Sequence, residues 1–302
     1  MKATKIASSV YFLEGDRGGR YPLSNSLLVG GESFLLIDTG FTLSPDGVEE
    51  LKKNFPVEIV VNTHCHEDHI LRNHFFKESQ VCCHFLDAPA VESIEELNKR
   101  YISPEDKHLF MMGEAFLRDF LDVKGSKVDL EFGDGYTFNL GGTKLVAIHT
   151  PGHSMGHCCF YIPNEKILFL SDIDLTSFGP WYGGLDSNLK DFISSIGKVK
   201  ELKAEVALTS HKAEVIRGQD EIIKRINEYE SKIWERERKI LKLLEGKWLT
   251  LDEIVDHALI YGKFPEPREF FRLSEKLMVE KHLKKLVEEG MVEERDGKFK
   301  AR

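Results

Sequence analysis

Short runs rich in β-branched and aromatic residues, each closed by a turn, dominate the first two thirds of the chain. Strands are expected at Ser8–Leu13, Asn25–Val29, Ser33–Asp38 and Glu58–Asn62, with a helix at Asp46–Asn54 between the last two. A strand at Gln80–His84 then precedes a long helical pattern, Ala88–Lys124, rich in Leu, Phe and Met. Strands resume at Val128–Phe132, Lys144–His149, His157–Ile162 and Lys166–Ser171, followed by a helix, Leu189–Leu202, and a strand, Glu205–Thr209. Strand runs interleaved with helices predict two mixed sheets packed face to face, with helices outside.

The pattern changes after residue 218. A charged helical stretch, Gln219–Leu244, leads to Leu251–His257, a break at Phe264-Pro265-Glu266-Pro267, and a helix over Glu269–Glu289. The end reads as a β-hairpin turning at Asp296-Gly297. Helix, helix, hairpin is the order of a winged helix, a relative of the helix-turn-helix. The chain is therefore divided into a main domain over 1–218, a linking helix over 219–245 and a winged-helix-like domain over 246–302.

Charge sharpens this division. The net charge is −9, yet residues 246–302 carry twelve basic and twelve acidic residues, so the whole excess lies on the front part. An acidic surface is poorly suited to non-specific binding of nucleic acid, which depends on neutralising phosphates. Five cysteines at 65, 82, 83, 158 and 159 have no C-x-x-C spacing, which fits buried, reduced thiols. The longest apolar runs, such as Phe34–Ile37, are strand length, and Met1–Gly15 holds no leader-like stretch. A cytoplasmic protein without a membrane partner is expected.

The densest chemistry is at Thr63-His64-Cys65-His66-Glu67-Asp68-His69, directly after an expected strand. His64 and His66 share one side of an extended segment because side chains repeat every second residue. Asp68 and His69 fall where the chain turns into a helix and can face a second metal. Imidazole with carboxylate suits zinc, and also iron or manganese. Three more donors follow strands: His153 in Thr150-Pro151-Gly152-His153, Asp172 in Leu170-Ser171-Asp172, and His211 in Thr209-Ser210-His211. His157 is read as a partner orienting a ligand or as packing, Cys65 as structural, and Phe178, Pro180, Trp181 and Tyr182 as packing or a substrate wall. Met111, Met112 and Phe116 are read as core.

In their order these motifs resemble the metallo-β-lactamase superfamily: T-H-x-H-x-D-H, then T-P-G-H, then an apolar strand ending in Asp, then a last His. Leu36-Ile37-Asp38-Thr39-Gly40 is similar to the family's early L-I-D-x-G element. The resemblance covers residues 5–215 and implies a four-layer αβ/βα sandwich, the 1–218 domain being catalytic. It implies one metal on His64, His66 and His153, another on Asp68, His69 and His211, and Asp172 bridging them. Asp68 is also expected to orient the nucleophile and take its proton. The chain departs from the pattern at Ile70-Leu71-Arg72, where relatives carry glycines, at Ser171, which stands for a glycine, and around His211. Bulk at 70–72 is expected to reshape the pocket wall.

Two divalent cations, zinc first among the candidates, predict hydrolysis of a small ester, thioester or lactone-like substrate by a metal-bound hydroxide. The winged-helix tail suggests an alternative, a single-strand ribonuclease or phosphodiesterase. However, Arg268, Arg272, Lys276, Lys281, Lys284 and Lys285 alternate with Glu269, Glu275, Glu280, Glu288 and Glu289, where a nucleic-acid reader presents a basic face. The tail is instead expected to dimerise or to cover the site. A second alternative, mononuclear iron redox chemistry on a thiol as in a thiol dioxygenase, requires loss of second-site ligands, and none is lost.

Overall fold

Parallel strands buried on both faces set the frame, and the computed structural model describes it over residues 2–31 and 33–302. The first sheet runs in chain order: β1 (Lys2–Ala7), β2 (Val10–Glu14), β3 (Ser26–Gly30), β4 (Phe34–Ile37), β5 (Val57–Val61), β6 (Gln80–His84) and β7 (Leu130–Phe132). β4 to β7 are mutually parallel, with Leu36 opposite Val60 and Ile37 opposite Val61. All four residues of β4 are buried, as expected of a strand covered on both sides. The second sheet comprises β8 (Thr137–Leu140), β9 (Thr143–His149), β10 (Cys158–Ile162), β11 (Ile167–Phe169), β12 (Val206–Leu208) and β13 (Ile216–Arg217), again in chain order.

The two sheets share one apolar core. Leu27, Ile37 and Val61 from the first meet Leu145, Phe160, Phe169 and Leu208 from the second. Helices cover the outer faces. α1 (Pro45–Asn54), capped by Ser44, packs Val48 and Leu51 on Leu36 and Val60. α6 (Leu189–Lys200) and α7 (Gln219–Leu244) pack Phe192, Ile196, Ile226 and Ile233 on Leu168, Leu170 and Ala207. This is the expected arrangement of two facing sheets with helices outside.

Four strands escaped the sequence pattern: β1, β8 and the two-residue strands at Ile216–Arg217 and Leu249–Thr250. β1 is mostly exposed and has no apolar alternation to reveal it, and β8 is short and follows a glycine turn. The long helical pattern at Ala88–Lys124 is also broken, into α3 (Ala88–Glu92), α4 (Ile94–Asn98), α5 (Lys107–Ala115) and a π-turn at Phe116–Phe120. Ser93 interrupts it in an extended conformation while its hydroxyl caps α4, and Pro104 biases Ser103 away from helix. Met111, expected in the core, is exposed on this segment.

Beyond α7, a strand β14 (Leu249–Thr250) leads into α8 (Leu251–Val255), whose capping box joins Thr250 and Glu253. α9 (Arg268–Glu288) and the hairpin β15 (Val292–Arg295) with β16 (Lys298–Ala301) complete the chain, β14 pairing with β16. Ile254, Val279, Leu283, Leu286 and Val292 form their own apolar cluster with Ile240 and Leu244 of α7. No helix among the described residues is long and apolar enough to cross a membrane.

One stacked pair makes stability depend on pH. His84 at the end of β6 stacks on His149 at the end of β9, with ring centroids 4.1 Å apart and planes 12° apart. Burial first, and His149 second, lower His84 to about 4. An unfolded histidine titrates near ~6.5, so on acidification the unfolded chain takes up this proton first and is favoured. Native protein is expected to lose stability relative to His84→Phe as pH falls from about 6.5 to about 4. Melts across that range check it, and a constant offset between the two would refute it.

Candidate metal centre

All seven predicted donors converge where the strand ends of both sheets meet. Thr63 to His69 leaves β5 and turns into the short helix α2 (Glu67–Ile70), while His153 follows β9, Asp172 follows β11 and His211 follows β12. Six of the seven are buried, and His211 is half-buried. His64, His66 and His153 form one group able to hold a metal ion, and Asp68, His69 and His211 another; His64, His69 and Asp172 form a third between them. The Asp172 carboxylate joins the two ends: its Oδ2 lies 3.2 Å from His153 Nε2 and 3.2 Å from His211 Nε2. Its Oδ1 is 3.1 Å from His69 Nε2.

The far side of four of the five rings is tied down, which aims the near side inward. His64 Nδ1 is 3.0 Å from Thr63 Oγ1, and His69 Nδ1–H donates to Asp38 Oδ2 at 2.8 Å. His153 Nδ1–H donates to the Trp181 carbonyl at 3.0 Å, and His211 Nδ1–H to the Gly19 carbonyl at 2.9 Å. Partners of this kind fix the tautomer and orientation of metal-binding histidines. Two further nitrogens, His64 Nε2 and His66 Nε2, are buried with no hydrogen-bond partner among the described residues. Buried polar atoms are ordinarily satisfied. Imidazole nitrogens and carboxylate oxygens turned to one point are the donor set of zinc and similar cations. Donors of one zinc ion lie roughly 3–3.5 Å apart when its bonds are about 2.0–2.1 Å long; His66 Nδ1 and His153 Nε2, 2.9 Å apart, are slightly closer than that. The residues fit divalent metal ions.

Electrostatics divide the histidines. Burial, then His69 and His66, push His64 well below its ordinary range, and burial followed by His153 does the same to His66. Burial lowers His69 too, but Asp172, Asp38 and Asp68 outweigh it and hold the ring well above that range. Against burial, Asp172 also raises His211, to about 10. Asp172 itself is favoured as the carboxylate, because His211, His69 and His153 outweigh its burial. Asp68 is pushed up to about 6, chiefly by burial.

Supporting residues stand behind the donors. Asp38 accepts from Thr63 N at 2.8 Å and Thr63 Oγ1 at 2.9 Å, in addition to His69. It sits at φ +61°, as Ser171 does at φ +51°, and left-handed non-glycine residues of this kind cluster at functional sites. Ser171 Oγ donates to Thr63 Oγ1 at 2.8 Å, so the residue standing in for glycine links the two strand ends. His157 accepts from Asp172 N at 3.2 Å, which makes it a partner of Asp172. Asp174 turns away to cap Thr176 N. Cys65 is buried in an apolar cluster with Ile70, Leu71 and Cys83.

That cluster corrects one expectation. Ile70 and Leu71 point into the core, and Arg72 donates to the carbonyls of Thr42 and Leu43. The bulk at 70–72 is spent on packing and does not form the pocket wall. The wall comes from elsewhere: the Trp181 ring lies 5.6 Å from His66 and 5.4 Å from His153, and the Tyr101 ring 5.1 Å from His66. Glu67, inside the motif, accepts from Tyr101 at 2.6 Å and from Tyr21 at 2.7 Å. Asp87 accepts from Cys65 N, Ser154 Oγ and Gly156 N, tying the two main site loops together. Neither Asp87 nor Tyr101 belongs to a local motif, so only tertiary structure reveals them.

Comparison with known proteins places the chain in a family. The family model described as the Metallo-beta-lactamase superfamily matches residues 20–211. The chain is 25% identical over 298 residues to a Beta-lactamase-like protein 2 homolog of Caenorhabditis elegans, covering 96% of this chain and 88% of that one. It is 28% identical over 179 residues to a hydroxyacylglutathione hydrolase of Rhizobium johnstonii, covering 57% of each. The crystal structure of a metallo-beta-lactamase family protein from Thermus thermophilus superposes with a TM-score of 0.73 at 24% identity, over 99% of this chain and all of that one. The chain belongs to the metallo-beta-lactamase superfamily and is one of its hydrolases.

Proposed function

We propose that the protein is a dinuclear metal-dependent hydrolase of a small ester, thioester or lactone-like substrate. The observation that carries this is the position of Asp172 Oδ2, equidistant at 3.2 Å from a histidine of each outer donor group. In this reading His64, His66 and His153 hold one ion, Asp68, His69 and His211 the other, and Asp172 is shared. When bound, two divalent ions, zinc first among the candidates, supply Lewis acidity and lower the pKa of water at the site.

The chain's own residues do the rest. Asp68 Oδ2, 3.4 Å from His211 Nε2, is placed to orient the attacking water and accept its proton. His157 holds the backbone of Asp172, and Trp181 and Tyr101 shield the His66 side from solvent. Likeness to a hydroxyacylglutathione hydrolase supports an acylated thiol among the substrates.

The segment 246–302 fits a winged-helix-like domain joined through α7 to the catalytic domain 1–218. Several of its cations are paired with carboxylates: Arg272 with Asp252 and Asp256, Lys276 with Asp252, and Lys285 with Glu289 and with Glu237 of α7. This supports a small-molecule substrate over RNA. The test is metal analysis of native protein beside a screen of ester, thioester, lactone and RNA substrates. About two ions per chain with turnover of a small acyl substrate is the expected result. About one iron per chain with thiol oxidation, or cleavage of RNA alone, would overturn the proposal.

A further inference from the structure

The loop from Phe178 to Gly184 runs between the metal centre and the C-terminal part of the chain, and polar groups bind it from both sides. Towards the centre, the Trp181 carbonyl accepts the His153 Nδ1 proton and the Trp181 ring lies against His66 and His153. Away from it, Arg236 of α7 donates to three atoms of this loop: the Pro180 carbonyl, the Phe178 carbonyl at 2.6 Å and the Tyr182 hydroxyl at 2.9 Å. The Tyr182 hydroxyl lies 2.7 Å from Nε2 of His282 on α9, whose Nδ1 faces Glu237 at 3.3 Å, and Lys285 pairs with that carboxylate at 3.0 Å. Trp181 Nε1 donates to the Tyr261 hydroxyl at 2.9 Å, which meets Ser274 of α9 at 3.2 Å. Lys281 Nζ donates to the Gly184 carbonyl at 2.8 Å. A Cβ on Gly183 would come within 1.9 Å of Ser274 Oγ, so loop and helix are in close contact.

Most of these groups are buried, with Tyr182 and His282 at 0% and Arg236 at 4% exposure. Burying a guanidinium, an imidazole, a carboxylate and an ammonium in one interface is costly, and a plain packing surface is built more cheaply from apolar side chains. What a satisfied polar network provides is a single rigid geometry. Here that geometry ends on the carbonyl that orients His153.

We propose that Phe178–Gly184 is a positioning strap, clamped by α7 and α9, through which the C-terminal part of the chain sets the metal affinity of the group containing His153. The inference rests on His153 being a metal donor, as proposed above. Arg236, Tyr182 and His282 are positioning residues: they act on the ring of His153 through the strap. Partners that orient metal-bound histidines typically change metal affinity about 10–100-fold when removed, and loosening the strap has the same kind of effect at one remove.

The test uses the full-length protein and cobalt(II), whose d–d absorption reports ligand geometry, titrated against a competing chelator. Tyr182→Phe keeps the ring and removes the hydroxyl, Tyr261→Phe releases Trp181, and His153→Ala is the reference. Tyr182→Phe and Tyr261→Phe are expected to weaken one of the two cobalt sites about tenfold or more and to alter its spectrum. The other site should stay as in native protein, and circular dichroism below the melting transition should be unchanged. If His153→Ala weakens cobalt binding while neither strap variant does, the donor assignment stands and the strap is overturned, even if both variants melt earlier. If His153→Ala leaves binding as in native protein, the donor assignment fails and the strap proposal with it. Should one strap variant fail to fold, the other decides.

Discussion

Asp172→Ala is expected to yield a folded protein that retains about one divalent ion or none and loses turnover of acyl substrates by a factor on the order of a thousand. The bridge supplies one oxygen within 3.2 Å of both His153 and His211 and a second within 3.1 Å of His69. Truncating it leaves His153 facing no carboxylate, and leaves His69 and His211 with Asp68 alone on their Nε2 side, at 3.7 Å and 3.4 Å. The carboxylate is held charged by the surrounding imidazoles, so in the metal-free protein its removal also lowers the affinity of His69 and His211 for protons. Elemental analysis and steady-state kinetics on matched preparations check the result. Two ions per chain with native kcat would remove Asp172 from the site.

Gly40→Ala is expected to abolish metal binding although Gly40 is not a donor. A Cβ there would stand 1.5 Å from the backbone oxygen of Asp68 and 2.7 Å from Ser24 Oγ. The neighbouring hydrogen bonds leave no room for retreat: Ser24 N donates to the Gly40 carbonyl at 3.0 Å, Ser24 Oγ to the Asp68 carbonyl at 2.8 Å, and Thr39 N to the His69 carbonyl at 2.8 Å. The added methyl must push Asp68 and His69 off the centre or break this lacing. Overpacking alone typically costs about 1–3 kcal/mol, and a contact with backbone this short leads us to expect the upper end or beyond. Loss of metal together with a lower melting temperature is the expected pair of observations. Native metal content in Gly40→Ala would show that the loop can shift without disturbing the donors.

The convergence of the candidate donors was legible in the sequence for a physical reason. Histidines two apart on an extended segment share a side, and single donors after apolar strands mark the ends where strands open onto a site. His64, His66, Asp68, His69, His153, Asp172 and His211 all meet where these patterns place them. The layered sheets were legible too, because β3 to β6 and β9 to β12 carry continuous apolar runs. What escaped was governed by partners distant in the chain. β1 is the exception: its partner β2 is next in the chain, but its own residues are mostly exposed and carry no alternation. Asp87 is an ordinary turn residue until the loops at Cys65 and Gly156 close on it. Ile70 and Leu71 differ from glycine in every local respect, yet their side chains turn into the core, so the departure from the family pattern does not touch the pocket. Trp181 acts on His153 through a carbonyl, a group every residue possesses and no composition can single out.

The donors come from two halves of the chain: four from the end of a strand in the first sheet, and three from ends in the second. An ion held by both halves is a cross-link with an equilibrium constant. Its contribution grows as RT ln(1 + [M]/Kd), about 2.7 kcal/mol when free metal is a hundred times Kd. A chelator therefore does more than silence such an enzyme: it removes a fastener between the sheets. The five buried thiols, all free, would then react faster with an alkylating reagent, timing how often the two halves part.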